Sequence, residues 1–213
     1  MNKVMFAGPS GFGKTTLANW VSEEYKTPFI NGSVSELIPK TKDIPHEEML
    51  SRDKKTLALE DYQVMNLRNK LFKDKDDFVS DRSYLDLAAY FYYKQSSDIP
   101  GCEIEHFLEM NRMLLCKQCS HLIFFHFTPE MIHEWVIEDN QKRIMSNHFQ
   151  LQISEIMYLV LKLWGYKRID NFLTKRAGAE RGVIKTVYGT TKVLIITDAN
   201  LLARKILISK FLG

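Results

Sequence analysis

One short segment near the amino terminus constrains the fold more than any other part of the chain. Residues 8–15 read G-P-S-G-F-G-K-T and fit the pattern G-x-x-x-x-G-K-[ST] at every fixed position. Residues 3–7 before the pattern have the character of a short apolar strand, and residues 15–25 after it place their apolar side chains at helical spacing. A strand, a glycine-rich turn and a helix start are the geometry that this pattern requires.

The pattern predicts a site for phosphate groups. Glycines let the backbone curl until several N–H groups point inward, and the helix that follows adds its own unpaired N–H groups. We expect Lys14 to reach the β- and γ-phosphates of a nucleoside triphosphate and the Thr15 hydroxyl to bind Mg²⁺. The residues assigned to the phosphate site are Gly8, Ser10, Gly11, Phe12, Gly13, Lys14, Thr15 and Thr16. The alternative is an ordinary glycine-rich turn in which Lys14 is merely solvated.

The rest of the chain alternates between strand and helix patterns, which is typical of an α/β fold with a parallel sheet. Short strands are predicted at residues 28–30, 78–80, 121–127 and 192–197. A further strand at residues 166–170 is left open, and the basic residues 174–186 are ambiguous. Asp198 is expected to cap a helix over residues 199–211.

Two charged residues, Asp81 and Arg82, follow the predicted strand at residues 78–80. Ligands of α/β sheets bind at the C-terminal ends of the strands, so this pair is a candidate for catalysis. Asp81 suits two roles, holding Mg²⁺ or accepting a proton from an attacking hydroxyl, and both stay open here. Arg82 suits a bidentate clamp on the acceptor or on the transferring phosphate. The alternative is an aspartate that caps the next helix and pairs with Arg82.

A charged segment at residues 138–147 is predicted to form a small lid over the triphosphate. It contains Glu138, Asp139, Lys142 and Arg143. Arg143 would act as an arginine supplied within the same chain, stabilising charge in the transition state. The alternative is a solvated loop.

Charge is distributed unevenly along the 213 residues. The formal net charge is +3, but residues 162–213 carry eleven Lys and Arg against three Asp and Glu, a local net charge of +8. A basic C-terminal segment on an otherwise acidic body indicates a polyanionic partner, and DNA is the candidate. A solvated basic surface without a partner is the alternative.

Composition argues against several other classes of protein. No apolar run approaches the roughly 20 residues that a membrane-spanning helix needs. The chain opens directly in a predicted strand rather than in a secretory signal, and with three cysteines this favours a cytoplasmic protein with reduced thiols. Cys116 and Cys119 form one C-x-x-C pair without a second one, so buried thiols are favoured over a zinc or redox site.

Three motifs together resemble those of the small P-loop nucleoside and nucleotide kinases, most closely the virus-encoded and nicotinamide-riboside-kinase-like branches. The motifs lie at residues 8–16, 81–90 (D-R-S-Y-L-D-L-A-A-Y) and 139–143, and the resemblance runs over residues 1–165. It implies one three-layer α/β domain over residues 1–213 with a five-stranded, mostly parallel sheet. It also implies ATP with Mg²⁺ and transfer of the γ-phosphoryl group to a nucleoside, a nucleotide or a similar hydroxyl. By this match the functional residues are Lys14, Thr15, Asp81, Arg82 and Arg143.

Two departures from that family leave the acceptor open. The lid has only Lys142 and Arg143 where many monophosphate kinases have several closely spaced arginines, and the basic segment is longer than the minimal fold needs. The resemblance to viral members of this group implies one alternative, a kinase that phosphorylates the hydroxymethyl group of a modified pyrimidine, 5-hydroxymethyluracil, within DNA, and the basic segment would suit such a substrate. An alternative of another class is a nucleotide-dependent ATPase or switch module, although the chain has no N-K-x-D guanine motif.

Overall fold

The computed structural model describes residues 3–38, 53–95, 99–129, 131, 147–169, 178–198 and 200–213. Their seven strands form one sheet in the order β2-β3-β1-β4-β7-β6-β5. The strands are β1 (Val4–Ala7), β2 (Phe29–Ile30), β3 (Val79–Ser80), β4 (His121–Phe125), β5 (Lys167–Arg168), β6 (Ala179–Thr186) and β7 (Gly189–Ile196).

The sheet is mostly parallel, which confirms the predicted α/β class. Neighbouring strands from β2 through β3, β1 and β4 to β7 all pair in parallel, whereas β6 pairs antiparallel with both β7 and β5. The expected number of five strands is wrong, because an antiparallel extension of two strands adds to the parallel core at one edge. β1 and β4 are buried along their whole length and mostly apolar, whereas burial varies along β6 and β5 consists of two exposed residues.

Seven helices of the described residues surround the sheet. They are α1 (Lys14–Glu24), α2 (Val34–Leu37), α3 (Lys54–Lys73), α4 (Tyr84–Gln95), α5 (Gly101–Gln118), α6 (Asn147–Leu163) and α7 (Leu201–Leu212). None of the helices in this part of the chain is long and apolar enough to cross a membrane.

The core lies on both faces of the sheet, as the alternation of side chains along β1 shows. Met5 belongs to a cluster of buried residues with members from α3, α4, α5 and α6, whereas Phe6 belongs to a second cluster with Leu17 of α1 and Ile208 of α7. Because neighbouring residues on a strand point to opposite faces, helices cover the sheet from both sides. The arrangement has three layers and brings the C-terminal ends of the parallel strands to one edge.

The cap of α7 differs from the expectation. Asn200, not Asp198, is the N-cap, since its side-chain oxygen accepts hydrogen bonds from the N–H groups of Leu202 and Ala203 at 2.9 and 3.0 Å. Asp198 lies two residues earlier, and its Oδ1 atom accepts a 2.7 Å hydrogen bond from the N–H group of Asn200. Asn and Asp cap helices about equally well, so the backbone path decided between the two residues.

Candidate active site

The loop between β1 and α1 has the backbone that its glycines predict. Gly8, Gly11 and Gly13 have φ angles of 143°, 90° and 73°, a region that residues with a Cβ atom rarely adopt. At Gly8 there is also no room, because an added Cβ would lie 2.9 Å from the carbonyl oxygen of Phe125 at the end of β4. The loop therefore passes directly over the neighbouring strand and turns into α1.

Lys14 is the first residue of α1, and its side chain folds back on the loop. Its Nζ atom donates hydrogen bonds of 2.6 Å to the carbonyl oxygens of both Gly8 and Pro9, and the residue is only 5% exposed. Gly13 carries no side chain that would cap the first N–H groups of α1. An ammonium group beside uncapped helix amides is a suitable environment for a phosphate chain.

Thr15 and Asp81, which are 66 positions apart in the chain, meet at the C-terminal edge of the sheet. The Thr15 hydroxyl donates a 2.6 Å hydrogen bond to Oδ2 of Asp81. Asp81 is 2% exposed, and its Oδ1 atom is buried with no hydrogen-bond partner among the described residues. A buried carboxylate oxygen left open beside a hydroxyl group fits the oxygen ligands that Mg²⁺ prefers. No group of three or more His, Cys, Asp or Glu residues in the described part of the chain forms another candidate metal site.

Arg82 turns back towards the strand that precedes it. Its guanidinium donates a 3.1 Å hydrogen bond to the carbonyl oxygen of Asp81, and its N–H group donates to the hydroxyl of Ser80 at 3.3 Å. The residue is half-buried at the same edge as the glycine-rich loop. The side chain of Asp81 binds Thr15, so the alternative in which Asp81 caps the next helix does not describe this geometry.

Ser83 and Asp86 cap the start of α4 by bonding to each other's backbone. No role was predicted for either residue. The Ser83 hydroxyl accepts from the N–H groups of Leu85 and Asp86, while Oδ2 of Asp86 accepts from the N–H and hydroxyl groups of Ser83. This is a capping box with Asp in the position usually taken by Glu or Gln. The second oxygen, Oδ1, accepts a 3.3 Å hydrogen bond from the N–H group of Gly8. Asp86 thus joins the start of α4 to the start of the glycine-rich loop.

A second residue with no predicted role, Arg68 of α3, links the segments that follow β2 and β3 by hydrogen bonds. Its Nε atom donates to the carbonyl oxygen of Gly32 at 3.0 Å, and Nη1 donates to that of Ser83 at 2.6 Å. Burial lowers the pKa of Arg68 to about 10, and the nearby carboxylate of Asp86 opposes this shift. The signal in the sequence is a cation close to the apolar face of α3, and a buried structural role explains it.

The remaining assigned residues divide into three groups. Ser10 and Thr16 are exposed at the loop, whereas Phe12 is buried with its ring centroid 4.8 Å from that of Phe127, so its ring packs in the core and does not face a phosphate. Arg143 and the rest of the predicted lid charges, Glu138, Asp139 and Lys142, lie outside the described residues. The pair Cys116 and Cys119 is buried, and burial raises the pKa of the Cys119 thiol, which disfavours a reactive thiolate.

The chain has relatives in one sequence family and in several solved structures. Residues 3–173 match the family described as AAA domain. None of the curated proteins matches the sequence significantly. The deoxyadenosine kinase of M. mycoides with bound dATP has a TM-score of 0.63 at 13% identity, covering 100% of this chain and 99% of that one.

Two further solved structures have the same fold over nearly their full length. The YorR protein of Bacillus subtilis in complex with phosphorylated GDP has a TM-score of 0.54 at 16% identity, with 98% of this chain and 93% of that chain covered. The thymidylate kinase of Candida albicans has a TM-score of 0.56 at 10% identity, with 99% and 91% covered. At such identities the likeness shows a common fold.

Proposed function

We propose, from the premise that the chain belongs to the AAA domain family, that it is an ATP-dependent phosphotransferase acting on a nucleoside or deoxynucleotide. The observation that carries the proposal is the contact between the Thr15 hydroxyl and the buried carboxylate of Asp81, directly beside Lys14 and the glycine-rich loop. A loop for phosphate binding alone needs neither the carboxylate nor its open oxygen atom. The fold shared with deoxyadenosine and thymidylate kinases supports the same reaction class.

The chain's own residues divide the work of phosphoryl transfer. The N–H groups of the glycine-rich loop and the Lys14 ammonium bind the phosphates, as in other loops of this pattern. Thr15 and Asp81 are the residues that would hold Mg²⁺, which when bound neutralises charge on the phosphate oxygens. We assign Asp81 to the metal because its partner is the other predicted metal ligand.

Arg82 and Arg143 are the cations that we assign to the migrating group. Arg82 lies next to Asp81 at the strand end, and a guanidinium there is suited to binding a phosphate bidentately. Arg143 would approach from the predicted lid over residues 138–147. This assignment rests on the sequence alone. Asp86 and Arg68 position the surrounding backbone and are not expected to touch the substrate.

A second candidate is a kinase whose acceptor is a modified pyrimidine within DNA. It is favoured by the local charge of +8 over residues 162–213, since neutralisation of phosphates dominates the affinity of proteins for DNA. Both candidates use the same phosphate loop and differ only in the acceptor.

The test is to follow label from γ-labelled ATP into a panel of nucleosides, nucleoside monophosphates, and plain or hydroxymethylated DNA. We expect label on a free nucleoside or monophosphate, whereas label on modified DNA alone would establish the second candidate. Lys14→Ala should abolish transfer, and Lys26→Ala, at an exposed position two residues after the end of α1, serves as its control. Hydrolysis of ATP at one rate with or without any acceptor would instead identify an ATPase or switch module and overturn both candidates.

A further inference from the structure

The antiparallel extension of the sheet carries four cations on one of its two faces. Lys167 of β5, Val183 of β6 and Lys192 of β7 lie side by side in the strand register, so their side chains share a face. Arg181 and Lys185 lie two residues before and after Val183 on the same strand. Because side chains alternate along a strand, Arg181 and Lys185 are on that face as well. We call these four cations and Val183 the basic face.

The dimensions of the basic face follow from the geometry of a sheet. Lys167 and Lys192 are each one strand away from Val183, about 4.8 Å in each direction, and Arg181 and Lys185 are each two residues away, about 6.8 Å. The four cations therefore form a diamond of about 10 by 13 Å on a rigid backbone. Lys167, Lys185 and Lys192 are exposed and Arg181 is half-buried.

The opposite face of the extension packs on the protein core, which determines the face that is turned outward. Ile184 and Val193 belong to the same buried cluster as Cys116 of α5, and the Thr191 hydroxyl donates a 2.8 Å hydrogen bond to the carbonyl oxygen of Cys119. These residues alternate with the cations of the basic face along β6 and β7.

No carboxylate neutralises the basic face within the described residues. The acidic residue on β6, Glu180, lies on the opposite face and forms a 3.1 Å ion pair with Arg168 there. None of the four cations forms an ion pair in the described part of the chain. Four cations on one surface, with no acidic partner among the described residues, suit a partner with a regular series of negative charges.

We propose that the basic face binds the phosphate backbone of duplex DNA. Duplex DNA carries one negative charge for about every 1.7 Å of helix axis, so a face of these dimensions meets several phosphates at once. The hairpin after β6 adds Tyr188 at its tip, 56% exposed, next to Val187 at 94%. The hydroxyl group of an exposed tyrosine beside a basic surface is a further donor to phosphate oxygens.

The basic face is separate from the glycine-rich loop and does not depend on the proposed phosphotransfer. The loop lies beside Phe125 at the C-terminal end of β4, where Ile196 is the paired residue of β7. Lys192 instead pairs with His121 at the other end of β4, and Lys185 lies further along the hairpin, opposite Thr190. DNA on the basic face therefore leaves the loop accessible.

The experiment measures binding of the full chain to a fluorescent DNA duplex of roughly 20 base pairs by anisotropy over a series of salt concentrations. With four phosphates neutralised, we expect a slope of about −3.6 for log K against log[salt]. The test variant carries Lys167→Gln, Arg181→Gln, Lys185→Gln and Lys192→Gln. The matched control carries Lys26→Gln, Lys73→Gln, Lys75→Gln and Lys117→Gln, which remove the same charge from exposed sites elsewhere.

We expect the test variant to bind DNA at least roughly tenfold more weakly and with a shallower salt slope. The control variant should keep most of its DNA affinity and most of its salt slope. Equal losses in both variants would show a response to net charge only and overturn the proposal. Binding to phosphatidylserine vesicles but not to DNA, lost in the test variant, would reassign the face to a membrane surface. If the test variant does not unfold cooperatively on heating, the single variant Lys185→Glu replaces it, with Lys117→Glu as control.

Discussion

The Nη1 atom of Arg204 donates a 2.8 Å hydrogen bond to the backbone carbonyl oxygen of Phe12, which joins the C-terminal helix α7 to the glycine-rich loop. The same guanidinium lies 4.8 Å from the ring centroid of Phe125 and donates from Nε to the carbonyl oxygen of Asp198 at 2.6 Å. Arg204 is 2% exposed, and burial lowers its pKa to about 10. The shape of the loop therefore depends on a side chain 192 positions away.

Replacing Arg204 is expected to weaken both the fold and the binding of ATP. Arg204→Leu removes charge-assisted hydrogen bonds to the backbone, so the free energy of unfolding should fall by about 2–4 kcal/mol in urea titrations. The KM for ATP should rise severalfold, because the carbonyl group of Phe12 loses a partner that orients the loop. Lys210→Leu, an exposed change on the same helix, should stay within about 0.5 kcal/mol of the parent. Parent-like stability of Arg204→Leu would contradict the prediction.

The contact between Thr15 and Asp81 predicts a difference between two small substitutions. Thr15→Ser keeps a hydroxyl and should retain most activity, whereas Thr15→Val removes the proposed metal ligand and the donor to Asp81. We expect kcat of Thr15→Val to fall at least about 100-fold, with a higher Mg²⁺ concentration for half-maximal rate. Rates measured against Mg²⁺ concentration check this. A Thr15→Val enzyme with an unchanged Mg²⁺ dependence would remove Thr15 from the proposed metal site.

Two glycine substitutions should have opposite effects on stability. Gly8→Ala places a Cβ atom 2.9 Å from the carbonyl oxygen of Phe125 at a φ of 143°, so we expect a loss of about 2 kcal/mol or more and weakened ATP binding. Gly101→Ala begins α5 with no atom within 4 Å of the new Cβ, so stability should be unchanged or increase by about 0.4–1 kcal/mol. Thermal unfolding of both variants gives the comparison. If the two substitutions changed stability equally, the close approach of the added Cβ atom to Phe125 would not destabilise the fold, and the prediction would be wrong.

His121 makes the stability of the fold depend on pH. Burial, reinforced by the charge of Lys192, lowers the pKa of His121 from 6.5 to about 4. The unfolded chain then binds more protons than the folded chain between these values. Stability falls as pH falls through this window and is unaffected by this group above it. The lowered pKa of His121 changes the free energy of unfolding by at most about 3 kcal/mol across this window.

The corresponding variant is His121→Gln, with His106→Gln at an exposed position as control. Urea titrations between pH 7 and pH 4 should show a shallower loss of stability for His121→Gln than for the parent chain or the control. Identical slopes in all three proteins would show that His121 is not the titrating group. Carboxylates also titrate in this range, but they contribute to all three proteins alike.

Local sequence patterns predicted the parallel core well and the edge of the sheet poorly. β1 and most of β4 are continuous apolar runs, and β7 ends in one at residues 193–196, because helices cover both faces of the sheet there. β6 was ambiguous because its residues alternate between the core and the basic face, with Gly182 in its middle. The cap of α7 was assigned to Asp198 and belongs to Asn200, a difference of two residues that propensity alone does not resolve.

Local sequence patterns were enough to predict the glycine-rich loop, the position of Lys14 and Thr15 at a helix start, and the position of Asp81 and Arg82 at a strand end. Such features are local, since the loop needs particular φ angles and the strand end needs only an apolar run followed by polar residues. Only the tertiary structure decided that Asp81 meets Thr15, that Arg204 supports Phe12, and that Asp86 binds Gly8. These contacts join residues that are 66 to 192 positions apart, and their geometry depends on the packing of whole elements, which no local pattern specifies.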